Sequence, residues 1–343
     1  MYKIFFFDFS AILFYYNIKF MKKVLIFSLA YYPLVGGAEV AIKEITDRIG
    51  DIQFDLVTLR FNKKHASFEK IGNVNVYRIC GGKLFFPFFA FLKARQLHKK
   101  NNYDAIWAMM AAYAGFAALF FKLTHPKVPY LLTLQEGDPI DYIKKKVRFV
   151  YPLFKMIFTR ADFIQAISNY LANWAKEMGA KCPVKVVPNG VDIKKFSISN
   201  SQFPKNKNEK ILITTSRLVK KNGINDVIEA MQYLPENIKF WIIGDGPEKE
   251  NYSLLVTRYA LQDRVVFFGY IPHEEMPNYL HNADIFIRPS LSEGMGNSFI
   301  EAMAAGLPVI ATAVGGIPDF LTPPDLPLSG KGEKLPDSHL DKG

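Results

Sequence analysis

Cysteine is scarce: Cys80 and Cys182 are the two in 343 residues, and they lie far apart. That excludes a disulfide framework and cysteine-based metal spacing, and it fits a reducing cytoplasm with both thiols structural. Long apolar runs are also missing. The run AMMAAYAGFAALFF (Ala108–Phe121) is shorter than the roughly 20 residues of a membrane span and reads as a buried helix. There is no G-x-G-x-x-G and no Walker loop, so a plain dinucleotide or ATP site is a weak reading. No D-x-D argues for a metal-held diphosphate. Zinc-finger spacing, an RNA-binding signature and a basic heptad array are absent too, which removes the usual support for nucleic acid as a partner. Acidic residues are rare in the first half. Residues 1–190 hold 27 Lys/Arg against 13 Asp/Glu, a net +14, whereas residues 191–343 hold 16 against 19, a net −3. The first half therefore favours an anionic partner.

What is present suffices for two cores: 50% of residues are hydrophobic, 15% aromatic and 22% charged. The length suggests about two domains. Residues 1–20 are apolar and aromatic but broken by Asp8, a poor signal peptide and a poor span. Met21 opens MKKVLIFSLAYYP, so Met21 reads as the natural start and residues 1–20 as an upstream extension.

From there, short apolar strands alternate with helical patterns. The strand-like runs are Lys23–Leu29, Phe54–Leu59, Val74–Ile79, Ala105–Ala108, Tyr130–Leu134, Phe163–Ile167 and Val184–Val187. A polar stretch, SISNSQFPKNKNEK, suits a linker over 193–210. The rhythm restarts at Ile211–Thr215, Lys239–Ile243, Val265–Phe268, Asp284–Ile287 and Val309–Ala311. This is an α/β pattern: two Rossmann-like, doubly wound domains, 21–192 and 211–321, with ligands expected at the carboxyl ends of the strands in the cleft between them. Residues 322–343, rich in Pro, Gly and charge, read as a disordered tail.

SEGMGNSFIEAMAAGLPVIATAVGGIPDF (Ser292–Phe320) carries the sharpest chemistry. Asn297 or Ser298 can cap a helix, and Ser298 with Glu301 spells a capping box, so spacing reads Glu301 first as a capping carboxylate. Glu293 has no such structural duty. It sits in a loop between a strand and a helix start, flanked by Gly294 and Gly296, where backbone can approach a ligand. The helix start offers N–H groups to an anion, while the carboxylates suit hydroxyls. Together they point to a ligand with both phosphate and polyol parts, such as a nucleotide sugar. Gly36-Gly37, between a first strand and first helix, reads either as a tight turn or as a phosphate cradle. SRLVKKNG places Arg217, Lys220 and Lys221 after a strand, as a solvated basic loop or as diphosphate ligands. Gly244 and Gly246 in IIGDGPEKE read as fold glycines first and ligand neighbours second.

Taken in order, GGAE, PNGVD, SRL…NG, GDGP, GY and the E-x7-E block with its following G-L-P-V-I-A and G-G resemble the retaining glycosyltransferases of family 4, with the GT-B fold, across Lys22 to Phe320. The resemblance implies an acceptor-binding first domain and a nucleotide-sugar-binding second one. It implies that Glu293 holds hydroxyls of the donor sugar and Glu301 those of the ribose. Amides around Gly294, Met295, Gly296, Asn297 and Ser298 would meet sugar and diphosphate, and Gly36 and Gly37 would let the first domain close over the phosphates. Arg217 would stabilise the leaving diphosphate. No metal or other cofactor is implied, the donor being a UDP-, GDP- or ADP-sugar. Three departures stand out. Asn222 replaces the usual lysine, with Lys221 one position earlier; Gln135 replaces a histidine in TLQEGD, leaving Gln135 and Asp138 as lesser candidates; and the family normally continues past Phe320, so the second domain reads as truncated. A GT-B nucleotide-sugar epimerase and an inactive nucleotide-sugar-binding protein are the alternatives to transfer.

KLFFPFFAFLKARQLHKK (Lys83–Lys100) and KKKVRF (Lys144–Phe149) set phenylalanines beside cations. The first suits either an interfacial surface on an anionic bilayer or a core helix with a basic end. The expectation is a peripheral protein at the inner face of the plasma membrane, acting on a lipid-linked or polysaccharide acceptor.

Overall fold

The computed structural model describes residues 22–197 and 208–321. The expected upstream extension, most of the linker and the expected tail lie outside them. The first sheet contains β1 (Lys23–Phe27), β2 (Gln53–Leu59), β3 (Phe68–Ile71), β4 (Val74–Ile79), β5 (Ala105–Met109), β6 (Tyr130–Leu134), β7 (Phe163–Ala166) and β8 (Val184–Val186). Their order is β3-β4-β2-β1-β5-β6-β7-β8. The second sheet contains β9 (Lys210–Thr215), β10 (Ile238–Ile243), β11 (Val265–Gly269), β12 (Ile285–Arg288) and β13 (Val309–Ala311), in the order β11-β10-β9-β12-β13. The central runs AIWAM and YLLTL are buried at every position, as strands covered on both faces must be. All pairings are parallel except β3 with β4.

Parallel neighbours need crossovers, and helices supply them. On the first sheet these are α1 (Gly37–Asp47), α2 (Gly82–Asn101), α3 (Tyr113–Thr124), α4 (Ile140–Lys146), α5 (Tyr151–Thr159) and α6 (Asn169–Glu177). The expected buried helix is α3, whose alanine face packs on α2 and α5. Helix α2 has two distinct faces. Phe86, Ala90, Ala94 and Leu97 are buried, whereas Leu84, Phe85, Phe88 and Phe89 are exposed.

Two features depart from the sequence reading. Strand β3 was not anticipated: FEKI is short and lies half-exposed at the sheet edge, where no long apolar run is needed. The start of the proposed linker is structured. Ile193–Ser197 forms α7, and its Phe196 is buried with Ile211, Ile213, Phe286 and Phe299 in the second core. The second sheet's remaining helices are α8 (Ile224–Ala230), α9 (Lys249–Arg258), α10 (Met276–Asn282), α11 (Asn297–Ala304) and α12 (Pro318–Leu321).

One buried carboxylate ties the first sheet to its helix. Asp55 in β2 is fully buried and accepts from Asn75 Nδ2 at 2.8 Å, Asn101 Nδ2 at 2.9 Å, Gln53 Nε2 at 3.3 Å and the Tyr103 hydroxyl. Removing the acceptor strands the buried Tyr103 hydroxyl and the half-buried Asn75 and Asn101 amides at once. Asp55→Ala is expected to lower the unfolding free energy by about 3 kcal/mol in urea titrations. A loss below about 0.5 kcal/mol, the scale of ordinary surface changes, would contradict the role assigned to this hub.

Candidate active site

In each sheet the chain winds outward in both directions from one central strand. The reversal falls between β1 and β5 in the first and between β9 and β12 in the second. Loops leaving the carboxyl ends of such strand pairs diverge and open a crevice. Here the two crevices face each other across one cavity of about 1580 Å³, lined by both sheets' loops.

From the second sheet, the loop after β9 brings Arg217 and Lys220, both exposed, and Lys221 to the cavity wall. Lys221 crosses the cleft: its Nζ donates to the Gly137 carbonyl at 2.6 Å and pairs with Asp138 Oδ1 at 3.2 Å. Asn222 is buried and donates from Nδ2 to the Arg217 carbonyl at 2.7 Å, so its side chain holds the loop. Gly244 also lines the cavity.

The loop after β12 is built around a residue that sequence reasoning missed, Arg288. This last residue of β12 is buried, and its guanidinium donates to Glu293 Oε2 at 2.9 Å, to Ser298 Oγ at 2.7 Å and to the Thr215 carbonyl at 3.3 Å. It also lies over the Phe299 ring, 4.2 Å from its centroid. Burial lowers the Arg288 pKa from its ordinary value, and the charges of Glu293 and Glu301 oppose that. The available signal was a lone arginine ending the apolar strand IFIR. Glu293 also accepts from the Gly294 N–H at 3.1 Å. Beneath it, Gly315 adopts φ +58°, and a Cβ there would stand 1.8 Å from the Glu293 carbonyl. The Gly316 N–H donates to that same carbonyl at 3.1 Å.

The capping box is not formed. Helix α11 starts after Gly296 with no side-chain cap, which places Ser298 at the second helical position rather than at the cap. Its hydroxyl serves Arg288. Glu301, a turn further on, reaches His273 Nε2 with Oε1 at 2.9 Å and lines the cavity.

The structure divides the other candidates. Gly296, Asn297 and Ser298 line the cavity, whereas Gly294 and Met295 do not appear in its wall. Met295 instead packs into the first sheet's core, and a Cβ on Gly294 would stand 2.3 Å from the Glu136 carbonyl, so this pair locks the two sheets' loops together. Gln135, Asp138, Gly36 and Gly37 line the opposite wall. Gln135 Nε2 donates to Asn189 Oδ1 at 3.0 Å, Asn189 Nδ2 to Asn297 Oδ1 at 2.9 Å, and Asn297 Nδ2 lies 3.5 Å from the Gly37 carbonyl. A chain of amides thus spans the cleft. At Gly36 a carboxylate already sits close by: a Cβ there would meet Glu39 Oε2 at 2.7 Å. Burial raises the Glu39 pKa, opposed by the N–H groups of Glu39 and Gly36.

Glu136 was also missed. It is buried in the cavity wall, and its Oε1 accepts from the Ala111 N–H, while Oε2 is buried without a partner among the described residues. Burial pushes its carboxyl up to about 7; the N–H groups of Ala111, Glu136 and Gln135 resist this, and the charge of Asp138 adds to it. A carboxyl whose folded pKa exceeds its unfolded one costs stability as pH rises through that interval, because the folded state then binds the extra proton. Glu136→Gln, which keeps the acceptor without the charge, is expected to match wild type near pH 4.5. It should exceed wild-type stability by on the order of 3 kcal/mol at pH 8. Parallel stability profiles across that range would contradict the assignment.

Comparison with known proteins places this geometry. The family models Glycosyltransferase Family 4 and Glycosyl transferases group 1 match residues 35–195 and 196–325. The GPI3 subunit of phosphatidylinositol N-acetylglucosaminyltransferase from Saccharomyces cerevisiae is 32% identical over 315 residues, covering 85% of this chain and 68% of that protein. WcaL of Escherichia coli, described as a colanic acid biosynthesis glycosyltransferase, is 33% identical over 195 residues, 53% of this chain and 47% of that protein. The chain spans about half the length of the first curated relatives it matches. Among solved structures, Anabaena HepE, crystallised with UDP and glucose, superposes with a TM-score of 0.69 at 22% identity, covering 86% of this chain and 82% of that one. With two facing Rossmann-like sheets and family matches along both halves, the chain belongs to the family 4, group 1 glycosyltransferases of the GT-B fold.

Proposed function

We propose that this protein binds a nucleoside-diphosphate sugar in the interdomain cleft and transfers the sugar, with retention of anomeric configuration, to a lipid-linked or polysaccharide acceptor. One observation carries the reading: two carboxylates, Glu293 and Glu301, and three cations, Arg217, Lys220 and Lys221, line one cavity at the point where the second sheet's strand order reverses. Neither set alone identifies a ligand. Together they fit a molecule with hydroxyls at both ends and phosphates between. The HepE complex with UDP and glucose supports the same ligand class.

The roles follow from charge. Arg288 and the Gly294 N–H occupy part of the acceptor capacity of Glu293, and its remaining lone pairs take donor-sugar hydroxyls. Glu301 takes the ribose. Arg217, Lys220, Lys221 and the first N–H groups of α11 receive the diphosphate, supplying the positive charge that a metal would otherwise bring. The acceptor oxygen bonds to the anomeric carbon on the face the diphosphate leaves. The bond from that carbon to the leaving phosphate oxygen breaks with its electron pair, and the acceptor proton passes to that oxygen.

The acceptor side belongs to the first sheet. There the cavity continues between Leu84, Phe85 and Phe88 of α2 and Tyr142, Val147 and Val150 near α4, with Lys146 at its edge. Phe149 is 83% exposed beside Arg148, and Lys144 and Lys145 lie on the same short helix as Lys146. Exposed aromatics ringed by cations suit the headgroup region of an anionic bilayer. Among the described residues no helix is long and apolar enough to cross a membrane. A peripheral protein at the cytoplasmic face, serving an acceptor with a hydrocarbon tail, agrees with both facts. WcaL, in colanic acid biosynthesis, and the GPI3 subunit of phosphatidylinositol N-acetylglucosaminyltransferase support an acceptor of this kind.

Glu293→Gln is expected to lower kcat by about 100-fold or more while leaving the circular dichroism spectrum unchanged. Unaltered turnover would reject the site. Flotation with vesicles is expected to favour anionic over zwitterionic lipid, and the double variant Phe85→Ser, Phe149→Ser should lose most of that binding. Equal recovery with both lipids would reject the membrane surface.

A further inference from the structure

Glu301 is not held by its helix but by a side-chain relay. Lys195, on α7, approaches His273 Nδ1 with its ammonium nitrogen at 3.2 Å. His273 Nε2 lies 2.9 Å from Glu301 Oε1, with the imidazole and carboxylate side chains 24% and 13% exposed. An ammonium has hydrogens to give and no lone pair to receive. His273 Nδ1 must therefore be the acceptor and carry no proton, which puts the ring hydrogen on Nε2, facing Glu301. The ring is set on its other side by Phe196, whose centroid is 5.6 Å away and whose side chain is buried in the second core. The backbone under Lys195 is tied as well, its N–H donating to Asp192 Oδ1 at 3.3 Å. Three elements thus converge on one carboxylate oxygen: α7, the loop before α10 and α11.

We propose that Lys195 and His273 are positioning residues for the nucleoside. Lys195 fixes the imidazole tautomer, His273 donates its Nε2 hydrogen to Glu301 Oε1, and the carboxylate so oriented receives the vicinal hydroxyls of a ribose. This rests on the reading of Glu301 given above and extends it to two residues that act through that carboxylate. A five-membered vicinal diol presents two donors close together. A carboxylate can accept both only in a narrow range of orientation, which a free glutamate would reach at a cost in side-chain entropy. Lys195 comes from the element that follows the passage from the first sheet to the second. The relay therefore also links nucleoside binding to the segment between the domains.

Calorimetry tests this with UDP, GDP and ADP titrated into wild type, followed by the tightest binder and its 2′,3′-dideoxy counterpart titrated into each variant. Wild type should prefer the ribonucleotide, and Glu301→Gln should abolish that preference. His273→Ala should cut the preference by about tenfold, the worth of one charge-assisted hydrogen bond, with affinity for the dideoxy nucleotide unchanged. His273→Gln, whose Nε2 can donate to the same oxygen, should retain most of it, and Lys195→Met should fall between. If His273→Ala keeps the full preference while Glu301→Gln loses it, the relay is overturned and the ribose reading survives. If His273→Ala weakens both nucleotides equally, its role is structural and the proposal also fails. If Glu301→Gln keeps the preference, or none of the three nucleotides binds wild type, the underlying reading fails.

Discussion

The site depends on one buried ion pair. Arg288 ends a strand in the second sheet and is buried, so its charge must be answered within the protein. Glu293 answers it at 2.9 Å, Ser298 accepts a second N–H, and the Phe299 ring supplies the face of a third partner. Those contacts join the strand, the loop after it and the first turn of α11 in one rigid unit. A carboxylate that would repel a nearby diphosphate is thereby partly neutralised from behind, and the helix start beside it stays open to anions.

Other parts of the fold support that unit. Gly315 presses against the Glu293 backbone, and Gly316 against the Gly294 carbonyl and Ser168, where no Cβ would fit. Met295 anchors the same loop in the opposite domain's core, and Lys221 reaches across to Gly137 and Asp138. The loop is therefore the meeting point of both domains as well as a wall of the cleft.

Much of this was legible in the sequence. Strands such as Tyr130–Leu134 and Val309–Ala311 are short apolar runs between helical patterns, and their bounds are recovered closely. Glu293 stood out because a carboxylate followed by Gly294 and Gly296 in a loop after a strand has no duty visible in the sequence; the structure gives it one, the ion pair with Arg288. The capping reading of Glu301 failed for a physical reason: S-x-x-E specifies a cap only if the serine is the first half-helical residue, and Gly296 took that place. Arg288, His273 and Lys195 were invisible because their partners lie on other elements, and only the assembled sheet shows which charges are buried together. The resemblance implied a ligand contact for the Met295 amide; that its side chain packs into the other domain's core is a tertiary contact the sequence does not show.

The central claim is that the cleft grips a nucleoside diphosphate bearing a sugar. The most direct measurement is thermal unfolding in the presence of UDP-, GDP- and ADP-sugars. The account predicts that one of the three raises the midpoint by several degrees at about 100 times its dissociation constant, a stabilisation of about 2.7 kcal/mol. An unchanged midpoint with all three would contradict it.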